Sequence, residues 1–312
     1  MAQVLTITGP IFLLIGIGYL AVRSGLIQQS ALPGMGRFVL HLALPALIFT
    51  TISRLEFQAI VEPAYLLVYG VASVVTLALG IVFSRFIRGQ SLAASGVMGL
   101  GMSMSNSAFI GYPVLLQVFQ DPPAQAFAMS LMIENILVMP LALAIIEYGS
   151  SEGGAGPSFG ERMQAVAGRL VRNPLLLAIA AGMLVSLLDP PMPAGVLRTL
   201  DMLAGASVSV ALFTIGGTLV GNPIRSDLGS IAPVLAGKLL IHPLLVFVLL
   251  MLAPGLSGQL RLSMILLAAM PMLSVFPIIG GHYGLGRLCA STLLLTTVLS
   301  FASLSALIAL LT

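Results

Sequence analysis

The chain alternates between long apolar runs and short polar connections, and the runs have the length of membrane-crossing helices. A span needs about 20 predominantly apolar residues. Ten such runs occur, near 4–22, 38–53, 64–87, 93–119, 124–148, 173–189, 195–220, 231–253, 259–283 and 288–311. The first, third, fifth and eighth are plain. The second is short and contains Pro45, and the fourth and ninth hold proline and glycine in their middles. One long polar connection, about 149–172, reads GSSEGGAGPSFGERMQAVAGRLVR, a Gly/Ser-rich stretch followed by a basic amphipathic segment. It separates two halves of five spans, 1–148 and 173–312.

Residues 105–115, SNSAFIGYPVL, place serines, an asparagine, a glycine and a proline where the fourth span meets hydrocarbon. Proline removes a backbone donor and clashes with the preceding turn. An unsatisfied backbone group in lipid costs several kcal/mol unless protein or a water-filled cavity receives it. The stretch is therefore a tolerated kink or a break at a binding site.

The two halves repeat one another. Pro10 and Pro174, Gly18 and Gly182, and Pro113 and Pro277 are each 164 residues apart. The same shift lays PALIF (Pro45 to Phe49) on SVALF (Ser209 to Phe213). With an odd number of spans in each half, the second half enters the membrane from the opposite side. Inverted repeats with broken helices in corresponding positions are the pattern of a secondary transporter, with its site near the midplane. The breaks near Gly111 to Pro113 and near Ser274 to Pro277 are thus expected to meet.

Composition agrees with a polytopic membrane protein: 58% of the residues are hydrophobic and 7% charged, against about 25% charged in soluble domains. The net charge of +3 comes from basic residues scattered between apolar runs, so it reads as a topology signal rather than a nucleic-acid footprint. With the N-terminus outside, nine of the 13 Lys+Arg, Arg162, Arg169 and Arg225 among them, fall in cytoplasmic connections. Arg54, Arg198 and Arg261 lie outside and Lys238 lies within a span. Both termini are accordingly expected outside. MAQVLTITGP has no basic n-region, so the first run reads as a retained span rather than a cleaved signal. Cys289, the single cysteine, cannot form an intrachain disulfide.

Candidate chemistry lies at the breaks and at the few charges inside spans. A half-helix that begins at a break presents free N–H groups and the positive end of its dipole, which suits an anion. The half-helix that ends there presents carbonyls, which suit a cation. Ser103, Ser105, Asn106 and Ser107 add hydroxyl and amide groups, although small residues also serve close helix packing. Glu134 lies in the fifth span, and Lys238 in the eighth with His242 one turn further on. Charges at such depth face a cavity or a partner; these two either couple transport, to a proton for example, or form a pair that fastens two helices. His41 sits near the interface, and His282 ends the ninth-span break. AASG (Ala93 to Gly96) lacks a histidine placed to make a serine protease, and there is no Walker loop, CxxC or metal-ligand spacing, so no enzyme is expected.

NSAFIGYPVL resembles the fourth-span signature of the auxin efflux carrier family, in which an Asn precedes a Gly-x-Pro break. RNPLLLAIAAGML resembles that family's sixth-span entry, ALFTIGGTL its seventh span, and SVFPIIGGHYG and LCASTLLLTTVLS its ninth and tenth. The similarity covers essentially the whole chain. It implies an all-α polytopic membrane protein of ten transmembrane helices. These would form two inverted five-helix repeats with broken helices 4 and 9 crossed, a sodium/proton-antiporter-like crossover fold. It also implies a scaffold of helices 1, 2, 6 and 7, a mobile transport domain of helices 3–5 and 8–10, homodimers and elevator-type alternating access. Family substrates are small organic anions: auxin in plants, and dicarboxylates such as malonate or malate in bacteria. Ser209 stands where the family commonly has a proline matching Pro45, which predicts a straighter seventh helix. The chain lacks the long central loop of plant members, as in a compact prokaryotic form.

The expectation is an inner-membrane secondary or facilitated carrier of a small mono- or dicarboxylate. Its binding residues would be Ser105, Asn106, Ser107, Tyr112, Pro113, Ser274, Pro277 and His282, with Glu134, Lys238 and His242 as a coupling group or charge pair. No cofactor, metal or nucleic acid is expected; the partners are the anion, lipid and a second copy. Coupling to Na+, to H+ or to neither stays open. A sodium-coupled bile-acid-type symporter shares the architecture and is the competing carrier. A receptor or scaffold that binds without transporting is the alternative of another class.

Overall fold

A computed structural model of the chain describes residues 2–150, 160–161, 164, 167–168, 171–221, 228–253 and 255–311. Most of the expected linker at 149–172, with Arg162 and Arg169, falls outside the described residues, as does Arg225.

The apolar runs fold as helices, because only a helix satisfies every backbone group within a single lipid-facing segment. In chain order the first six are α1 (Ala2–Arg23), α2 (Gln29–Ile52), α3 (Pro63–Val82), α4 (Leu92–Ser103), α5 (Ser107–Val118) and α6 (Ala124–Ser150). Then follow α7 (Pro174–Leu188), α8 (Ala194–Thr218), α9 (Leu228–Leu250), α10 (Gly258–Ala268), α11 (Phe276–His282) and α12 (Gly286–Leu311). Among the described residues, six segments are long and apolar enough to cross a membrane: α2, Phe57–Ile87 around α3, α6, α8, α9 and Gly286–Leu310 of α12. Gly9–Arg23 of α1, and α4, α5, α7 and α10, are shorter apolar helices. The second run, short by its apolar core, gains length from the turns that begin at Gln29.

The fourth and ninth runs are interrupted, but the breaks lie N-terminal to the expected prolines. The first separates α4 from α5 at 104–106, and Gly111 to Pro113 are helical. The second spans 269–275, ahead of Pro277, which occupies the first turn of α11. The physical reason is that proline is tolerated in a helix's first turn, where its missing N–H has no partner to lose. Pro113, deeper in α5, is accommodated by a local widening of the helix.

That widening recurs. The residue just before Pro45, Pro113, Pro140 and Pro243 donates its N–H to the carbonyl five residues back: Leu44 to Val39, Tyr112 to Ser107, Met139 to Glu134 and His242 to Gly237. A proline ring crowds the carbonyl four residues before it, and a π-turn relieves that crowding by inserting one residue. Ser107, Glu134 and Lys238 all lie within these π-turns.

Helices α1, α2, α7 and α8 pack mainly on one another, and α3 packs on α4 and α9, α4 on α6, and α11 on α12. The closest crossing is α1 on α8. A Cβ on Gly216 would lie 1.9 Å from the Ile15 carbonyl oxygen, and one on Gly18 would lie 2.1 Å from that of Phe213. Small residues bring helix backbones together in lipid, where no hydrophobic force drives helix association. Gly182 of α7 faces α2 less tightly: an added Cβ would lie 3.0 Å from Ile52 Cβ and 3.3 Å from the Phe49 carbonyl oxygen. Gly18 facing Phe213, and Gly182 facing Phe49, occupy corresponding positions with the halves exchanged, at different closeness.

Outward faces are apolar. On α3, Leu67, Val71, Val75 and Leu79 are exposed, while Tyr65, Tyr69, Ser73 and Leu77 are buried. The helix thus turns its hydrocarbon stripe outward and its polar stripe inward.

Candidate functional site

Ser103 begins the break between α4 and α5 by returning its hydroxyl to the Gly99 carbonyl at 3.0 Å. Met104 then adopts an extended conformation, with φ −89° and ψ 130°. Serine and asparagine are weak helix formers because their side chains compete for backbone groups. Asn106 does so here: its Oδ1 accepts from the Phe109 N–H at 3.3 Å and caps α5. Each break supplies what the other lacks. The Asn106 N–H donates to the Pro271 carbonyl at 2.8 Å, Ser105 and Met272 form an isolated antiparallel bridge, and Asn106 Nδ2 donates to Ser274 Oγ at 2.8 Å. Backbone freed by two broken helices is thereby satisfied inside protein.

On either side of Asn106, a serine reaches a buried charge. Ser107 Oγ donates to Glu134 Oε1 at 2.5 Å, and Tyr69 Oη donates to the same oxygen at 2.9 Å. Lys238 Nζ donates to Ser105 Oγ at 2.6 Å, to the Ala268 carbonyl at 3.0 Å and to His242 Nδ1 at 2.9 Å. An ammonium has donors only, so Nδ1 accepts. The ring hydrogen is then on Nε2, which lies 3.1 Å from Ser73 Oγ. Glu134, Lys238, His242, Ser105, Asn106 and Ser107 are all buried, Lys238 completely.

Glu134 and Lys238 form no ion pair with one another, unlike Arg54 and Asp201, which pair at 2.8 Å. The two charges instead flank the three-residue segment Ser105 to Ser107, one hydroxyl to each. The segment links α3, α6 and α9 to both breaks.

The remaining candidates lie around this centre. Tyr112 is buried against Phe127, with ring centroids 4.6 Å apart, and sits beside Thr51 and Ile48 of α2 where α2, α5 and α6 meet. Pro113 is buried within α5, Ser274 and Pro277 are partly buried at the second break, and His282 ends α11 at an exposed position. Several members of the network carried no sequence assignment. Tyr65, Tyr69 and Ser73 recur every fourth residue along α3, where they reach Ser130, Glu134 and His242 respectively. Their signal is a polar stripe of helical period in an otherwise apolar run.

Comparison with known proteins gives a match between residues 4–308 and the model of a family described as membrane transport protein. A Rhizobium meliloti (strain 1021) protein named "Putative malonate transporter" is 28% identical over 311 residues, covering 99% of this chain and 96% of that one. A transporter of Methanothermobacter thermautotrophicus, named as uncharacterized, is 25% identical over 94% of both chains. The mouse lysosomal cholesterol signaling protein is 27% identical over 245 residues; the match takes in 73% of this chain and 27% of that longer protein.

Proposed function

The chain belongs to the membrane transport protein family, and on that footing we propose that it carries a small carboxylate-bearing anion across the inner membrane at the meeting of its two helix breaks. The observation that carries this reading is the joining of Asn106 to Pro271 and Ser274. Two interrupted helices that satisfy each other's backbone deep in a membrane protein are the arrangement of a carrier site. The first turn of α5 offers amide groups and the positive end of a helix dipole to a carboxylate. The malonate-transporter name of a relative that matches almost end to end favours the same substrate class.

In this reading the two halves are inverted five-helix repeats whose broken members cross. The exchanged contacts Gly18–Phe213 and Gly182–Phe49 support it. Helices α1, α2, α7 and α8 act as the scaffold, and the helices carrying Glu134, Lys238 and the breaks move against them in an elevator-type exchange. The grouping of contacts favours that division. Both termini face outward, and the working unit is a homodimer.

Uptake by proteoliposomes containing the Asn106→Ala variant tests the site. Loss of the Asn106 amide removes hydrogen bonds worth about 1–2 kcal/mol together, so uptake of mono- or dicarboxylates falls by about tenfold. Normal insertion with transport at the wild-type rate removes the assignment.

A further inference from the structure

Lys238 Nζ is enclosed by acceptors from both breaks and from α9. Helix α10 ends at Ala268, so the Ala268 carbonyl belongs to the last turn and has no donor within its own helix. Ser105 Oγ faces it from the other break, and His242 Nδ1 from one turn along α9. These acceptors surround Lys238 Nζ at 3.0, 2.6 and 2.9 Å and use all three of its N–H donors. All three are uncharged, and no carboxylate lies within ion-pair distance of the ammonium among the described residues. A buried charge with no counter-ion in contact persists only where hydrogen bonds replace its water. What remains, once the lysine stem is set aside, is a half-helix carbonyl, a hydroxyl and a ring nitrogen arranged around one positive charge. In carriers with broken helices, the C-terminal ends of half-helices and unwound carbonyls coordinate Na+ or a proton.

We propose that the Lys238 ammonium is the tethered occupant of a monovalent-cation site formed by the Ala268 carbonyl, Ser105 Oγ and His242 Nδ1. In its ammonium form it supplies the charge that a sodium-coupled carrier would take from solution. The site joins both breaks, since Ser105 belongs to the first and Ala268 precedes the second. The protein therefore holds this junction together without free Na+, and removal of the side chain opens the site to a small cation. The inference rests on the carrier reading for its meaning in transport, but its geometry is a matter of binding alone.

Thermal unfolding of the purified protein in detergent, in choline, sodium, potassium, ammonium and methylammonium chlorides, tests it. The wild type should unfold at one temperature in all five salts. Lys238→Ala should unfold earlier in choline and recover by about 4 °C or more in saturating sodium, ammonium or methylammonium. Adding Ser105→Ala to that variant should abolish the recovery. A wild type stabilised by sodium over choline overturns the proposal. So does a Lys238→Ala protein that responds to no cation, or that is unfolded in all five salts; one that folds only when a small cation is present supports it. Cation recovery without carboxylate uptake by the wild type would leave this site standing and remove the carrier reading. Uptake without recovery would do the reverse.

Discussion

The Ser107 hydroxyl donates to the Glu134 carboxylate at 2.5 Å, tying the first turn of α5 to the middle of α6. Tyr69 adds a second donor from α3 to the same oxygen. Three helices thus meet on one buried carboxylate, and hydroxyl groups do there what water does at a surface.

Glu134→Gln keeps an acceptor oxygen for both hydroxyls and should change stability by less than about 1.5 kcal/mol. Glu134→Ala leaves Ser107 and Tyr69 buried without their acceptor, at a cost of about 2–4 kcal/mol. Thermal or chemical unfolding in detergent measures both. An alanine variant as stable as the wild type would mean that this carboxylate does not hold the three helices together.

Gly216 sits where α1 and α8 touch backbone to backbone. A methyl group there would overlap the Ile15 carbonyl at 1.9 Å, and backbone cannot give way as a flexible side chain can. Gly216→Ala should destabilise by about 3 kcal/mol or more. Gly16, on the same α1 but with nothing within 4 Å of an added Cβ, should accept alanine with no loss. Unfolding of the two variants side by side tests whether this crossing is rigid, as a scaffold requires.

Much of this arrangement can be read from the residues. The apolar runs mark the helices, and the shift that pairs Gly18 with Gly182 also pairs Phe213 with Phe49, the residues these glycines touch. The breaks carry a weaker signal. Proline is visible in a sequence, but the chain leaves the helix at Met104, between Ser103 and the Ser105-Asn106 pair whose side chains compete with the backbone, and it stays helical through Pro113 by widening. The α3 stripe is hidden in the sequence because tyrosine reads as apolar within a long apolar run. Its polar end matters only once Glu134 and His242 are seen to face it. The Ala268 carbonyl has no sequence signal at all, since every residue carries one and only the end of a helix frees it.

Arg54, two residues past the end of α2, pairs with Asp201 of α8 at 2.8 Å, with side chains 62% and 44% exposed. Water competes for both groups and salt screens them, so the pair contributes about 1 kcal/mol or less. Asp201→Asn should leave uptake unchanged and shift unfolding only slightly, with the difference vanishing in high salt. A large loss of uptake would instead assign the pair a part in gating.

Pro243 sets the position of Lys238. The π-turn from Gly237 to Ile241 ends one residue before His242-Pro243, and its extra residue turns the Lys238 side chain by about 100° relative to an unbroken α-helix. Pro243→Ala restores a donor and removes the crowding, so α9 can return to regular α-helix. Lys238 would then swing away from Ser105 and Ala268. Loss of one hydrogen bond from a charged group is worth about 1.5–3 kcal/mol, which corresponds to about a ten- to hundredfold fall in uptake. Pro45→Ala is the control. The π-turn before Pro45 runs from Val39 to Ala43 and holds His41 at an exposed position, away from the buried network. Its relaxation should change uptake by less than about twofold, the effect of an energy below 0.5 kcal/mol. Equal losses in the two variants would trace the effect to general bending of helices. A loss confined to Pro243→Ala ties it to where the ammonium sits.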